Sequence, residues 1–198
     1  MSGNDHLHLA NLNKKTDARV QRTRDALGDA LVALMQEKPF ETITVQDVLD
    51  RARVGRSTFY SHYSDKDDLL MSDVDEFYER VSMGLSARGD TSDRVFPVKE
   101  FFSHIAEARR FVNALFSSGK MQENMELARG HFARGIERRL AELPRAQSIS
   151  EGERPAIAVA HAGALLSLLT WWIDRGMRQS PAEMDELFHR IVWGQPKP

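Results

Sequence analysis

T-I-T-V-Q-D-V-L-D-R-A-R-V-G-R-S-T-F-Y-S-H-Y-S-D-K-D-D-L-L, from Thr42 to Leu70, holds two short helical patterns with a break between them. Thr44 is placed to cap the first, and Asp47, three residues on, completes a capping-box pattern. Val45, Val48, Leu49 and Ala52 then recur at helical spacing, which predicts one buried face. Arg53, Val54 and Gly55 interrupt the pattern, and Gly55 is the residue expected to take a backbone shape that others resist. A second helix is predicted from Arg56 to Tyr63, with Phe59 and Tyr63 inward and Arg56, Ser57, Thr58, Tyr60, Ser61 and His62 on the opposite face. Two short helices joined by a tight turn, the second rich in exposed hydrogen-bonding groups, form the geometry that enters the major groove of DNA.

The segment resembles the DNA-binding signature of the TetR family of transcriptional regulators, roughly I-T-V-x-x-I-A-x-x-A-G-V-S-x-x-T-F-Y-x-H-F-x-x-K-x-x-L. Ile43, Thr44, Val45, Val48, Ala52, Val54, Thr58, Phe59, Tyr60, His62, Tyr63, Lys66 and Leu69 stand at matching positions, and the likeness covers about Arg19 to Leu70. Arg53 replaces the usual glycine and Gly55 the usual serine, so the second helix loses a strong cap. The resemblance implies phosphate contacts from Tyr60 and His62, joined by Thr44 and Lys66 at two helix starts. Arg56 is the best candidate to read a guanine, and Ser57 and Thr58 suit base edges or phosphate. Lys14, Lys15 and Arg19 are candidates for the DNA backbone or a minor groove. The plain alternative for each is an exposed polar side chain.

Composition fits this reading. The chain has 198 residues and a net charge of -2, which is not the balance of a protein that coats nucleic acid indiscriminately. Charge is uneven: Lys14 to Lys66 contains ten Lys/Arg against eight Asp/Glu. The absence of cysteine excludes disulfides and thiolate chemistry, and a reducing cytoplasm is the expected location. No secretion signal is legible at the start.

The remainder predicts an all-α protein: a three-helix N-terminal helix-turn-helix domain and a C-terminal helical bundle for ligand binding and dimerisation. Residues 1–15 read as a disordered polar arm, 16–64 as the DNA-binding domain and 65–198 as the regulatory domain. Val20, Leu27, Leu31 and Leu34 trace one face of a first helix from about Thr16 to Glu37, with Arg19, Arg22 and Arg24 on its exposed sides. Ser64, with Asp67 as reciprocal acid, is expected to cap a helix running to about Leu85. Ser86 to Phe96 is a polar linker. Further helices are expected before Ser118, from Met121 to Leu143, from Pro155 to Ile173 and from Pro181, where Ser180 and Glu183 form a second capping box.

Pro155 to Ile173 is long and apolar enough to be weighed as a membrane span. Its Gly, His, Ser and Thr residues, and the charges at Asp174 and Arg175, favour burial on both sides instead, one towards its own core and one towards a partner chain. In TetR-like proteins the last two helices commonly pair with their symmetry mates, so the resemblance implies a homodimer on a double-stranded operator and no membrane. The stretch from Leu168 to Met184 also resembles one branch of the same family, near the activator of dihydroxyacetone kinase genes. By resemblance, an unidentified small-molecule effector is expected, with Phe101, His104, Phe111, Phe116, Met125, Phe132 and Trp172 as candidate pocket residues beside the plainer reading of most as core.

The functional expectation is a ligand-responsive repressor binding a palindromic operator. An activator of the same family and a non-regulatory helical adaptor are the alternatives. No enzyme motif is present: H-E-x-x-H, G-x-G-x-x-G, a P-loop and G-x-S-x-G are all missing, and no cofactor or metal site is expected.

Overall fold

The computed structural model describes residues 3–117 and 119–194, with side chains from Ala18 onward except those of 110, 114, 116 and 117. Helices α1 (Gly3–Glu37), α2 (Val45–Ala52), α3 (Arg56–Tyr60), α4 (Lys66–Ala87), α5 (Val98–Glu107), α6 (Arg109–Ser117), α7 (Met121–Glu142), α8 (Arg154–Asp174) and α9 (Pro181–Trp193) follow in order. No strand occurs among the described residues, and the all-α class holds.

The chain divides into two compact units, residues 1–73 and 74–198. The division falls within α4, not ahead of it at Ser64, because the first turns of that helix complete the core of the first unit. Helix α1 also starts earlier than the spacing predicts. The segment read as a disordered arm carries no proline, and no glycine follows Gly3 until Gly28, so nothing in it interrupts a helical backbone. The side chains of Lys14 and Lys15 lie outside the described residues.

In the first unit, Leu27, Leu31 and Leu34 of α1, Val48 and Leu49 of α2, Phe59 of α3 and Leu69 and Leu70 of α4 are all buried. Lys38 and Pro39 end α1, and a short 3-10 turn at Phe40–Thr42 buries Phe40 and leads into α2. In the second unit α7 packs along α8, and α5 along α9. Its centre is aromatic. Phe132 lies 4.6 Å from Phe96, 5.1 Å from Phe101 and 5.3 Å from Tyr78 between ring centroids, and Phe102 lies 4.8 Å from Trp172. The expected linker is pinned by a buried Arg139, which donates to the carbonyls of Arg94 and Ser92 at 3.0 and 2.7 Å.

Helix α8 passes the length test for a membrane span, yet one side of it, including Ala158, Leu165, Leu169 and Trp172, is packed inside the unit. It is a core helix. Where α7 crosses α4, Gly135 is required: a Cβ there would sit 2.6 Å from the Ser82 carbonyl oxygen, which is backbone and cannot swing away. Gly135→Ala should therefore cost about 1–3 kcal/mol in urea unfolding. Stability equal to the parent would show that the crossing has slack.

Candidate nucleic-acid interface

The interface is built from the capping of α2 upward. Thr44 Oγ1 accepts from the Asp47 amide at 3.1 Å, and the Asp47 carboxylate accepts from the Thr44 amide at 2.8 Å, so the predicted capping box is present. Lys38 adds an ion pair to the same carboxylate at 2.9 Å. Hydrogen bonds from the Thr44 backbone, the Lys38 ammonium and the Thr44 hydroxyl hold Asp47 far below the usual carboxylate range. The sign follows directly: a depressed folded pKa stabilises at neutral pH and ceases to as pH falls through the depressed value. Asp47→Asn should flatten the acid limb of the pH-stability curve for the first unit; an unchanged limb would remove Asp47 from that role.

The turn is closed differently from the sequence expectation. Arg53 takes the left-handed conformation (φ 56, ψ 39) as C-cap of α2, whereas Gly55 is extended (φ -72, ψ 148) and uses none of glycine's freedom. The Val54 amide reaches back to the Leu49 carbonyl at 3.2 Å, which satisfies the end of α2. Gly55 provides no side-chain cap for α3, and a Cβ added there would meet only Thr58 Oγ1, at 4.0 Å. Arg53→Gly should thus stabilise by roughly 0.5–1 kcal/mol and Gly55→Ser by a few tenths. A loss of stability on Arg53→Gly, read by thermal unfolding, would contradict this account of the turn.

Helix α3 spans five residues, shorter than the predicted Arg56 to Tyr63, and is held by burial of Phe59 with Tyr63 beside it, 5.7 Å away between ring centroids. The spacing of α1 puts Arg24 on an exposed side. Instead it donates to the Tyr63 hydroxyl at 3.1 Å and to Ser72 Oγ at 2.9 Å, tying α1, the end of α3 and α4 together. Its partners are 39 and 48 residues away, beyond any local pattern.

Lys66 is likewise held inside the unit. Its ammonium donates to the carbonyls of Phe40 and Ile43 at 2.7 and 2.8 Å and lies 4.4 Å above the Phe40 ring centroid. Two of its three donors are thereby used inside the unit, so its first role is to hold the loop before α2 onto α4. The cap of α4 also shifts by one residue. Asp65 accepts from an amide of the first turn, that of Asp68 at 2.8 Å, and the Asp68 carboxylate accepts from the Ser64 amide at 2.8 Å.

What remains outward is a polar face. Arg56, Ser57 and Thr58 are exposed, Tyr60 is 50% exposed, and His62 is half-buried. Thr44 is exposed at the start of α2, with its hydroxyl engaged in the box. Arg19 and Arg22 are exposed on α1. Two further residues on this face went unnoticed in the sequence. Gln46 Oε1 accepts from Arg56 Nη2 at 2.7 Å, and Gln46 Nε2 donates to Asp50 at 2.7 Å. The i, i+4 spacing of Gln46 and Asp50 was legible, but the meeting with Arg56 depends on the turn.

The candidate effector residues differ in burial. Phe101, Phe132 and Trp172 are sealed in the aromatic core, Phe111 and Met125 are half-buried, and His104 is exposed while stacking on Phe77 at 4.5 Å. The side chain of Phe116 lies outside the described residues. An open depression of about 420 Å³ lies elsewhere, among Asp93, Arg94, Arg145, Asp185, His189 and Trp193. Several of its charged side chains are paired: Arg94 binds Glu100 and Asp185, and Arg145 binds Asp93.

A buried-core helix-turn-helix with a hydrogen-bonding outer face defines the class as a DNA-binding regulator, and the comparisons agree. Residues 27–72 match the family described as bacterial regulatory proteins, tetR family, and residues 98–194 match the transcriptional regulator C-terminal region. The HTH-type transcriptional regulator YxbF of Bacillus subtilis is 40% identical over 60 residues, covering 30% of this chain and only 16% of that protein. An HTH-type transcriptional regulator of Haemophilus influenzae is 27% identical over 180 residues, covering 87% of this chain and 86% of its own length. Among solved structures, the dihydroxyacetone kinase operon activator DhaS has the same fold, with a TM-score of 0.61 at 20% identity over 86% of this chain and 93% of that one. The chain belongs to the TetR family of transcriptional regulators.

Proposed function

We propose that this protein is a cytoplasmic, homodimeric repressor that binds a palindromic operator and releases it when a small molecule occupies the second unit. The observation that carries the reading is the pairing of a fully buried Phe59 with an exposed row of Arg56, Ser57, Thr58 and Tyr60 on one short helix. In this reading Arg56 reads a base, Ser57 and Thr58 touch base edges or phosphate, and Thr44, Tyr60, His62 and the third donor of Lys66 fix register on the backbone. Lys14, Lys15 and Arg19 supply charge that draws the helix bundle to the duplex.

Specificity from so few side chains requires two copies reading half-sites about 34–36 Å apart. Support for a dimer comes from apolar side chains left outside: Val159 and Trp171 on α8 and Ile191 on α9 are 51%, 39% and 51% exposed. A second copy is the partner that would cover them. Support for an effector comes from polar groups buried among the aromatics around α4. Tyr78 donates to Asn124 at 2.8 Å, burial pushes its phenol up to about 12, and His131 bonds Asp75 at 2.7 Å. Such groups give a ligand something to address in an apolar interior. Helix α4 runs unbroken from Lys66 to Ala87, so it can carry the shift between a DNA-competent and a wrongly spaced dimer.

The test is a gel shift on DNA flanking the gene, repeated across salt. Binding should weaken steeply with salt, and Tyr60→Phe should weaken every bound duplex several-fold and alike, whereas Arg56→Ala should relax preference at one base pair per half-site. Identical behaviour of the two variants would overturn the roles assigned to them.

A further inference from the structure

The guanidinium of Arg56 is not held by its own helix. Arg56 is the first residue of a five-residue helix, it follows a glycine, and it is exposed. Its hydrogen bond to Gln46 Oε1 joins it to α2, and Gln46 Nε2 is in turn bound to the Asp50 carboxylate, both at 2.7 Å. The amide of Gln46 has only one workable orientation here. Turned over, it would point its NH2 at a cation and its oxygen at an anion, and both bonds would be lost.

We propose that Asp50 and Gln46 are positioning residues for Arg56, a relay across the two helices that sets the guanidinium for one guanine in each half-site. This rests on the DNA-reading role proposed above for α3. Arginine has five N–H donors in a rigid fork, and Gln46 takes one from Nη2. Whichever Nη2 hydrogen is used, one two-pronged edge stays intact, either Nη1 with Nη2 or Nε with Nη2. That edge matches the O6 and N7 acceptors of guanine. Fixing a long, rotamer-rich side chain before contact removes part of the ordering cost on binding. The other arginines near the turn are set differently: Arg51 spends its fork on Glu37 at 3.0 and 2.8 Å, and Arg53 is the C-cap of α2.

The experiment uses the full chain, the duplex it prefers, and duplexes altered at the base pair read by Arg56, with affinity measured by fluorescence anisotropy at fixed salt. Gln46→Ala and Asp50→Leu should each lower discrimination at that base pair by about tenfold, the loss expected when most of a bidentate contact is forfeited. Combining Gln46→Ala with Arg56→Ala should lose no more than Arg56→Ala alone. Asp50→Asn, whose amide oxygen still accepts from Gln46, should keep discrimination. All variants should unfold at the parental temperature, since the three residues are exposed. Discrimination unchanged by Gln46→Ala would overturn the relay, and so would a loss at a different base pair, which would make Gln46 itself a reader. If the parent shows no preferred duplex, the DNA-reading role falls and takes the relay with it; parental selectivity that survives the substitutions sinks the relay alone.

Discussion

A helix of five residues has no stability of its own in water, because nucleation fixes several dihedral angles for a single hydrogen bond. Helix α3 exists only because Phe59, fully buried, fastens it to the rest of the first unit. Burial of that one ring is worth about 1.5–3 kcal/mol, and it also fixes rotation. With Phe59 facing in, Arg56, Ser57, Thr58 and Tyr60 have to face out. The polar outer face is a consequence of the apolar plug, so the same residue that stabilises the helix orients whatever it reads.

Charged groups then do structural work around that plug. Lys66 closes two loop carbonyls, Arg24 ties Tyr63 and Ser72, and Asp47 holds both the amide of Thr44 and the ammonium of Lys38. Each takes a donor or acceptor that the turns would otherwise leave open. The arginine at the turn shows the limit of such consistency, since Arg53 adopts a backbone shape that glycine would take without strain. In the second unit the equivalent constraint is a close helix crossing at Gly135 beside an aromatic centre, with Arg139 fastening the segment that leads into α5.

Features governed by near neighbours were legible in the sequence. Both capping boxes, at Thr44 with Asp47 and at Ser180 with Glu183, rest on three-residue spacings, and the inward set of Val48, Leu49 and Phe59 follows helical periodicity. What escaped was long-range or conformational. Lys66 and Arg24 find partners 23 to 48 residues away, so the tertiary role that each carries has no signature in local spacing. Glycine at 55 drew the expectation of an unusual backbone that Arg53 in fact adopts, because composition shows where freedom is available, not where it is spent. Phe101, Phe132 and Trp172 are buried, and their spacing alone does not say so, since aromatic stripes that fill a core and those that line a cavity have the same spacing.

The family places the chain among transcriptional regulators; the surface proposed above to read DNA is a small polar patch whose direction is dictated from inside. Such a patch cannot specify a site alone, which makes symmetry the central claim. Selection of bound sequences from a pool of random duplexes tests it most directly. Two inverted half-sites with centres about one helical turn apart, each containing an invariant guanine, are the predicted result. Enrichment of a single asymmetric site, or of nothing, would contradict the account.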